Sequence, residues 1–208
     1  MITLRHNLET FFFIAFATTA ILFFMVQRNN KTSLPAFATL PPVVETPIPT
    51  ISPQETYMDS PEGSKTLTLE KLDREGITTY LLYVTFKSDE QKQQIFKKEM
   101  PLSQSFEIPY NAWSPDTKYL FLKEKNPTLD NYLVFQSSGS PFSNDRAYLS
   151  IQELFQKKVQ NYTIEDVTGW ADLPLLMVNT KANDSDKKVS FWFDVPSQSF
   201  VQLGTYFK

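Results

Sequence analysis

The chain has 208 residues, a net charge of −3, 14 prolines, 5 glycines and no cysteine. Because acidic and basic residues are interleaved and nearly balanced, the charge gives no reason to expect a nucleic-acid partner, and none is predicted. The lack of cysteine excludes disulfides, thiol catalysis and thiolate metal sites. At ~150 residues per domain, the length predicts one domain with additional segments.

An uncharged apolar run near the start of the chain predicts a membrane anchor within residues 1–28. The run is Phe11 to Val26, with the sequence FFFIAFATTAILFFMV. A helix of that length covers about 24 Å of the ~30 Å hydrocarbon core, and Arg5 and Arg28 can extend to the two interfaces. The alternative is a cleaved signal peptide, whose Ala-x-Ala site would be Ala36 to Ala38. We favour an uncleaved, single-pass anchor that contacts membrane lipid.

The composition changes abruptly after the anchor. Residues 29–56 contain six prolines, separated mainly by threonine, serine and valine. Such a segment favours polyproline II and buries no core, so it predicts a linker that reaches roughly 80 Å when extended at ~3.1 Å per residue. An anchor, a stalk and a folded head in this order are typical of exported proteins. The order therefore predicts an extracytoplasmic domain at residues 57–208.

A turn motif that opens an apolar strand recurs in this domain at intervals of 54–57 residues. The copies are SPEG at 60–63, SPDT at 114–117 and, without the Ser-Pro pair, WAD at 170–172. Proline presets the backbone of a tight turn, and an acidic residue bonds back to the backbone beside it. The spacing favours a repeat architecture. The alternative is that unrelated turns precede apolar strands by chance.

The segments between these turns predict further strands and one helix. Residues 189–195 alternate between apolar and polar side chains, as in a strand with one buried face. Ser150 and Glu153 form a capping box ahead of apolar residues at helical spacing, which predicts a short helix. The other strands are predicted at 78–86, 94–97, 131–136 and 199–203. Short strands separated by frequent turns indicate a mainly β domain.

These motifs together resemble the WD40-like repeats of TolB-type β-propellers. The resemblance covers about residues 57–205 and rests on the Ser-Pro turn, the K-[YT]-L-x-L strand after it and the closing hairpin FWFDVPSQSFVQL. The turn glycine is kept as Gly63 in the first copy and is replaced by Thr117 in the second. The resemblance implies antiparallel blades and binding of proteins or peptides, and it supplies no catalytic residues. Since closed propellers have 4–8 blades and about three fit here, we expect an incomplete β-propeller-like arrangement.

Residues suited to catalysis are sparse. The single histidine, His6, precedes the anchor, so neither a Ser-His nor a metal-His site is expected in the β-rich domain. Ser185 and Lys188 have the S-x-x-K spacing of a nucleophile and its base, but they lie in a run of polar turn formers. Glu165 and Asp166 are neighbours, which point to opposite faces of a strand. No catalytic, cofactor-binding or metal-binding residue is predicted.

The three tryptophans allow two interpretations. Trp113, Trp170 and Trp192 could form a stacking surface for carbohydrate, or they could anchor the core. Because Trp113 and Trp170 occupy equivalent places in the repeat, we favour core anchoring for these two.

Two functions are compatible with these features. The first is a membrane-anchored binding or scaffold protein, not an enzyme, whose β-rich head takes part in protein–protein interaction. Its expected contact is strand addition at an exposed edge, by a second copy or a partner, around residues 66–69 or 78–86 at one end and 189–203 at the other. The alternative is a cell-envelope hydrolase that acts on glycan or peptide through carboxylates.

Overall fold

The computed structural model describes residues 52–207 together with Met25. The expected membrane segment, apart from Met25, and most of the expected linker therefore lie outside the described residues. Among the residues that are described, no helix has the length and apolar character needed to cross a membrane. The first strand starts at Gln54, within the segment expected to be linker.

The described residues form twelve strands and one α-helix. The strands are β1 Gln54–Asp59, β2 Lys65–Arg74, β3 Ile77–Phe86, β4 Gln91–Pro101, β5 Ser105–Glu107, β6 Tyr119–Lys125, β7 Asn131–Gln136, β8 Leu149–Ser150, β9 Tyr162–Asp172, β10 Leu175–Ala182, β11 Lys188–Asp194 and β12 Ser199–Gln202, and the helix is α1 Ile151–Lys158. The predicted strand at 131–136 coincides with β7, and the predicted strand at 94–97 is the middle of the longer β4.

The strands form three antiparallel sheets of four consecutive strands each. Sheet 1 contains β1 to β4, sheet 2 contains β5 to β8 and sheet 3 contains β9 to β12. In every sheet, strands that follow one another in sequence are hydrogen-bonded neighbours. The mainly β class with one short helix is thus confirmed. A four-stranded meander is also the unit from which propeller blades are built, so the topology is consistent with a propeller-like fold.

Two apolar clusters join the sheets face to face. One cluster contains Leu82 of sheet 1 and Leu133 of sheet 2, and the other contains Val134 of sheet 2 and Phe193 of sheet 3. Because successive residues of a strand point to opposite faces, the neighbours Leu133 and Val134 reach different clusters. Sheet 2 is consequently buried on both faces.

Helix α1 begins at the predicted capping box. The backbone N–H of Glu153 donates to Ser150 Oγ at 3.1 Å. The N–H groups of the first turn have no acceptor within the helix, and this bond satisfies one of them. Leu154 and Phe155 are buried in the cluster between sheets 2 and 3, so the apolar face of the helix extends that core.

The two Ser-Pro turns have the same hydrogen bonds. Ser60 N donates to Lys65 O at 2.8 Å and Lys65 N donates to Ser60 Oγ at 3.0 Å. In the second copy, Ser114 N donates to Tyr119 O at 2.9 Å and Tyr119 N donates to Ser114 Oγ at 2.9 Å. The two Ser-Pro turns connect the first strand of a sheet to the second, whereas the third copy, at 170–172, forms the last three residues of the first strand of sheet 3. All three copies therefore lie where the first strand of a sheet leads into the second.

The expected docking edges are wrong for sheet 1. Residues 66–69 and 78–86 lie in β2 and β3, which are hydrogen-bonded on both sides, and the edges are β1 and β4. In sheet 3, β11 is also internal, so only the second part of the expected region 189–203 forms an edge strand. The reason is that β1, which begins in the segment expected to be linker, pairs with β2, while β4 pairs with β3 and β12 pairs with β11.

Candidate functional site

A groove of about 420 Å³ opens beside the turn of sheet 1 and the segment that precedes the turn of sheet 2. Its volume lies within the ~300–1,000 Å³ range of ligand sites. Residues from the end of β1 and from the segment between β5 and β6 form its walls. These residues are Met58, Asp59, Pro61, Tyr110, Asn111 and Trp113.

The two aromatic residues of the groove differ in exposure. Trp113 is 4% exposed, and its Nε1–H donates to Met58 O at 3.2 Å. Tyr110 is 96% exposed. Trp113 therefore belongs to the core, as predicted, and Tyr110 presents an aromatic ring to solvent at the rim of the groove.

The polar side chains of the groove already have partners within the chain. Asn111 Nδ2 donates to Thr168 O at 2.6 Å. Asp59 accepts from Lys87 Nζ at 2.8 Å and from Thr66 Oγ1 at 2.6 Å, and these hydrogen bonds lower its pKa. Asp59 is thus ionised at neutral pH. The groove combines an exposed aromatic ring, an apolar floor and one anionic group.

A second groove of about 320 Å³ lies before helix α1. It is lined by Arg146, Ala147, Tyr148, Ser150 and Glu153. Ser150 caps the helix, and Glu153 pairs with Lys157 at 2.5 Å, an interaction that lowers the pKa of Glu153. This groove therefore contains one carboxylate, and that carboxylate is already paired.

The carboxylates needed by a hydrolase do not meet in either groove. Each groove is lined by a single acidic residue. Within residues 52–207, no three histidine, aspartate or glutamate side chains are placed to hold a metal ion. Ser185 is exposed in the turn between β10 and β11, and Lys188 pairs with Glu165 at 2.7 Å. The S-x-x-K spacing therefore does not bring a nucleophile and a base together here.

Glu165 and Asp166 have separate partners, as predicted for neighbours on a strand. Glu165 contacts Lys188, whereas Asp166 accepts from Tyr132 Oη at 2.6 Å and lies 3.6 Å from Lys123 Nζ. The two carboxylates cannot act on one substrate.

Sequence reasoning missed a cluster of charged and polar groups between sheets 2 and 3. Lys123 Nζ lies 3.1 Å from Asp130, and Tyr132 is 1% exposed and bonded to Asp166. Burial and the hydrogen bond to Asp166 raise the pKa of Tyr132. Partial burial alone would lower the pKa of Lys123, but hydrogen bonds to Asp130 and Tyr132 outweigh it and raise that pKa. Both groups keep their protons at neutral pH, so neither is suited to proton transfer there. The contacts of Tyr132 and Lys123 with Asp166 link sheet 2 to sheet 3.

Tyr132→Phe tests this cluster. We expect the free energy of unfolding to fall by about 1–2 kcal/mol, because the buried hydrogen bond to Asp166 is lost. The pKa of Tyr132 is above its ordinary value of 10.0, so the folded state holds the proton more tightly than the unfolded state. This stabilisation is complete below pH 10.0 and declines as the pH rises through the folded-state value. Urea titrations at pH 8 and pH 11 should therefore show a smaller difference between variant and parent at the higher pH.

Comparison with protein-family models, curated proteins and solved structures finds no match to this chain. The resemblance to TolB-type repeats accordingly rests on the residues of the chain itself and stays a prediction. Any functional conclusion has to start from the geometry of the described residues.

Proposed function

We propose that this chain is a membrane-anchored extracytoplasmic binding or scaffold protein that uses an incomplete β-propeller-like head for protein–protein interaction. In this proposal Phe11 to Val26 contacts membrane lipid, and the proline-rich residues after it hold the head away from the membrane. The three sheets act as three blades of the WD40-like, TolB-type kind.

A hydrogen bond that recurs between sheets supports the propeller-like arrangement. Trp113 Nε1 donates to Met58 O at 3.2 Å, and Trp170 Nε1 donates to Ala112 O at 3.1 Å. Met58 and Ala112 each lie two residues before the first residue of a Ser-Pro turn. The same contact between sheets 1 and 2 and between sheets 2 and 3 favours one rotation that relates successive sheets, which is how propeller blades are arranged.

The observation that carries the binding function is the exposed ring of Tyr110 at the groove. Tyrosine and tryptophan are enriched among the residues that dominate binding energy at protein interfaces. A ring that is 96% exposed contributes almost no packing to the fold, so its contact area is free for a partner. The hydrolase alternative is weaker, because neither groove combines two carboxylates.

Photo-crosslinking in intact cells tests the proposal. We expect Tyr110→p-benzoylphenylalanine in the full chain to form a defined crosslink to another envelope protein, because the ring lies where a partner would dock. Glu75→p-benzoylphenylalanine is the matched control, since Glu75 is also exposed but lies in the distant β2–β3 turn. Protease added to the same cells should release the head by cleavage before β1.

Two results would contradict the proposal. Protection of the head from external protease would place it on the cytoplasmic side. Equal crosslinking from positions 75 and 110, together with turnover of an envelope glycan or peptide that stops when a groove carboxylate is changed to its amide, would favour the hydrolase.

A further inference from the structure

Strand β1 lies at the edge of sheet 1 and has one unpaired side. Among the described residues, β2 is the only strand that pairs with it, and five of its six residues are exposed. Ser60 N donates to Lys65 O just beyond the strand, and bonded and non-bonded pairs alternate along an antiparallel ladder. Every second residue before Ser60 therefore faces β2, and the residues between them direct their N–H and C=O groups to the free side. These residues are Glu55, Tyr57 and Asp59.

The other edges in the described part of the chain are less suited to accept a strand. Edge strand β4 carries three lysines and has a register shift against β3. Edge strand β9 has three register shifts against β10, and β5, β8 and β12 have four residues or fewer. Lysines, bulges and short length are the features that protect sheet edges from further pairing. Strand β1 has none of the first two: it pairs with β2 in a single register and contains neither lysine nor proline.

The side chain of Tyr57 ends a row that crosses the outer face of sheet 1. Tyr57 lies opposite Thr68 of β2, and Thr68 lies opposite Tyr83 of β3. Thr68 is 4% exposed, whereas Tyr57 is 59% exposed. An added strand would extend this row by one residue beside the exposed ring. Aromatic and β-branched residues form the stabilising cross-strand pairs with tyrosine, so the row favours such a residue in the partner.

The charges of β1 define the partner further. The strand has two acidic residues, Glu55 and Asp59, and no basic residue. Glu55 lies directly opposite Glu70 of β2, and like charges in this position destabilise a sheet. A lysine or arginine on the free side of Glu55 relieves that repulsion. A second copy of β1 adds to it, because antiparallel pairing about Tyr57 places Glu55 of one copy opposite Asp59 of the other.

The residues that precede β1 are also unsuited to its free side. Residues 41–53 contain five prolines. Proline has no N–H group to donate to a ladder, so this segment is a poor strand. The chemistry of the edge therefore favours a different polypeptide.

We infer that β1 accepts an extended basic segment of another protein as an additional antiparallel strand. In this arrangement a lysine or arginine of the partner lies beside Glu55, and a β-branched or aromatic residue lies beside Tyr57. Main-chain hydrogen bonds supply the affinity in this mode of recognition, and the alternate side chains supply the specificity. Met58 and Asp59 also line the groove beside Tyr110, so the added strand and the groove are contiguous. The inference rests on the proposed binding function and adds the chemistry of the partner.

Peptide titration tests the inference. The probe is the labelled peptide TKTVTKT, which places valine opposite Tyr57 and a lysine opposite both Glu55 and Asp59. We expect saturable binding to the full chain in detergent below about 1 mM, measured by fluorescence anisotropy. Glu55→Lys should weaken this binding roughly tenfold and should allow the charge-reversed peptide TETVTET to bind instead. Glu99→Lys is the matched control, because Glu99 is exposed on β4, the opposite edge of the same sheet, and it should change neither result.

A methylated peptide separates strand addition from charge attraction. N-methylation of the valine in TKTVTKT keeps both lysines and removes the N–H group that faces the backbone of Tyr57, so we expect binding to be lost. Unchanged binding of the methylated peptide would overturn the inference. An equal effect of Glu55→Lys and Glu99→Lys, or no saturable binding of TKTVTKT up to about 1 mM, would overturn it as well.

The titration and the crosslinking in cells can fail separately. If Tyr110→p-benzoylphenylalanine crosslinks to an envelope protein but no peptide binds to β1, the proposed function stands and the inference is wrong. If the peptide binds as expected but no crosslink forms, the edge accepts a strand and the proposed role of Tyr110 is wrong.

Discussion

Replacing Trp113 by alanine should lower the free energy of unfolding by about 3–5 kcal/mol. The indole is 4% exposed within the cluster between sheets 1 and 2, so its removal leaves a cavity beside Leu120 and Leu122. It also removes the Nε1–H donor that reaches Met58 O of sheet 1. Urea unfolding of the full chain in detergent, followed by far-UV circular dichroism, measures the change.

Three further variants separate the causes of that loss. Trp113→Phe keeps most of the packing and loses the hydrogen bond, so we expect a cost of about 1–2 kcal/mol. Trp170→Ala should cost less than Trp113→Ala, because Trp170 is only half-buried. Tyr110→Ala is the aromatic control from the same groove and should leave stability unchanged within about 0.5 kcal/mol. A Trp113→Ala protein that unfolds with the parent midpoint would contradict the core-anchor interpretation.

Local patterns predicted most of the strands and the helix, because they depend on nearby residues. The alternation at 189–195 and the capping box at Ser150 each need only a few consecutive side chains, and both predictions correspond to β11 and α1. The Ser-Pro turns were equally local. The two copies form the same hydrogen bonds, although the second has Thr117 in place of the glycine.

Thr117 illustrates how tertiary contacts override a local preference. Its φ is 56°, in the left-handed region that Gly63 occupies with φ 72° in the first copy. Its Oγ1 donates to Glu62 Oε1 at 2.7 Å, a contact with the turn of the neighbouring sheet. That contact helps to hold a β-branched residue in a conformation it rarely adopts. No pattern within residues 114–122 predicts this contact between Thr117 and Glu62.

The sequence alone predicted little of the candidate site, because its residues are far apart in the chain. Tyr110 and Met58 are separated by 52 positions, and Tyr132 and Asp166 by 34 positions, so only the folded chain brings them together. The edge prediction failed for a related reason. The strands could be recognised one by one, but the grouping into three meanders that pack by their faces depends on pairing between segments. The burial of Ser190 was missed as well, because alternation along β11 assigns its side chain to the solvent face.

Gly169→Ala should be the second strongly destabilising change, at about 2–4 kcal/mol. Gly169 has a φ of 131°, which residues with a side chain rarely adopt. An ideal Cβ there would lie 1.6 Å from Asn111 Nδ2, so the Asn111 side chain would have to move. That movement breaks its hydrogen bond to Thr168 O, the link between the groove and β9. The register of β9 against β10 shifts at this point, so glycine stands at a β-bulge.

Two controls make the Gly169 prediction specific. Gly204→Ala should change the free energy of unfolding by no more than about 0.5 kcal/mol, because no atom lies within 4 Å of an added Cβ.

The pair Asn111→Gly and Gly169→Ala separates collision from backbone strain. If the collision dominates, the double variant should be more stable than the sum of the single effects predicts, since Asn111→Gly removes the clashing amide. If strain at φ 131° dominates, the two costs should add. If Gly169→Ala unfolds like the parent, the Asn111 side chain does not lie this close to Gly169. The placement of Asn111 as one wall of the groove would then lose its support.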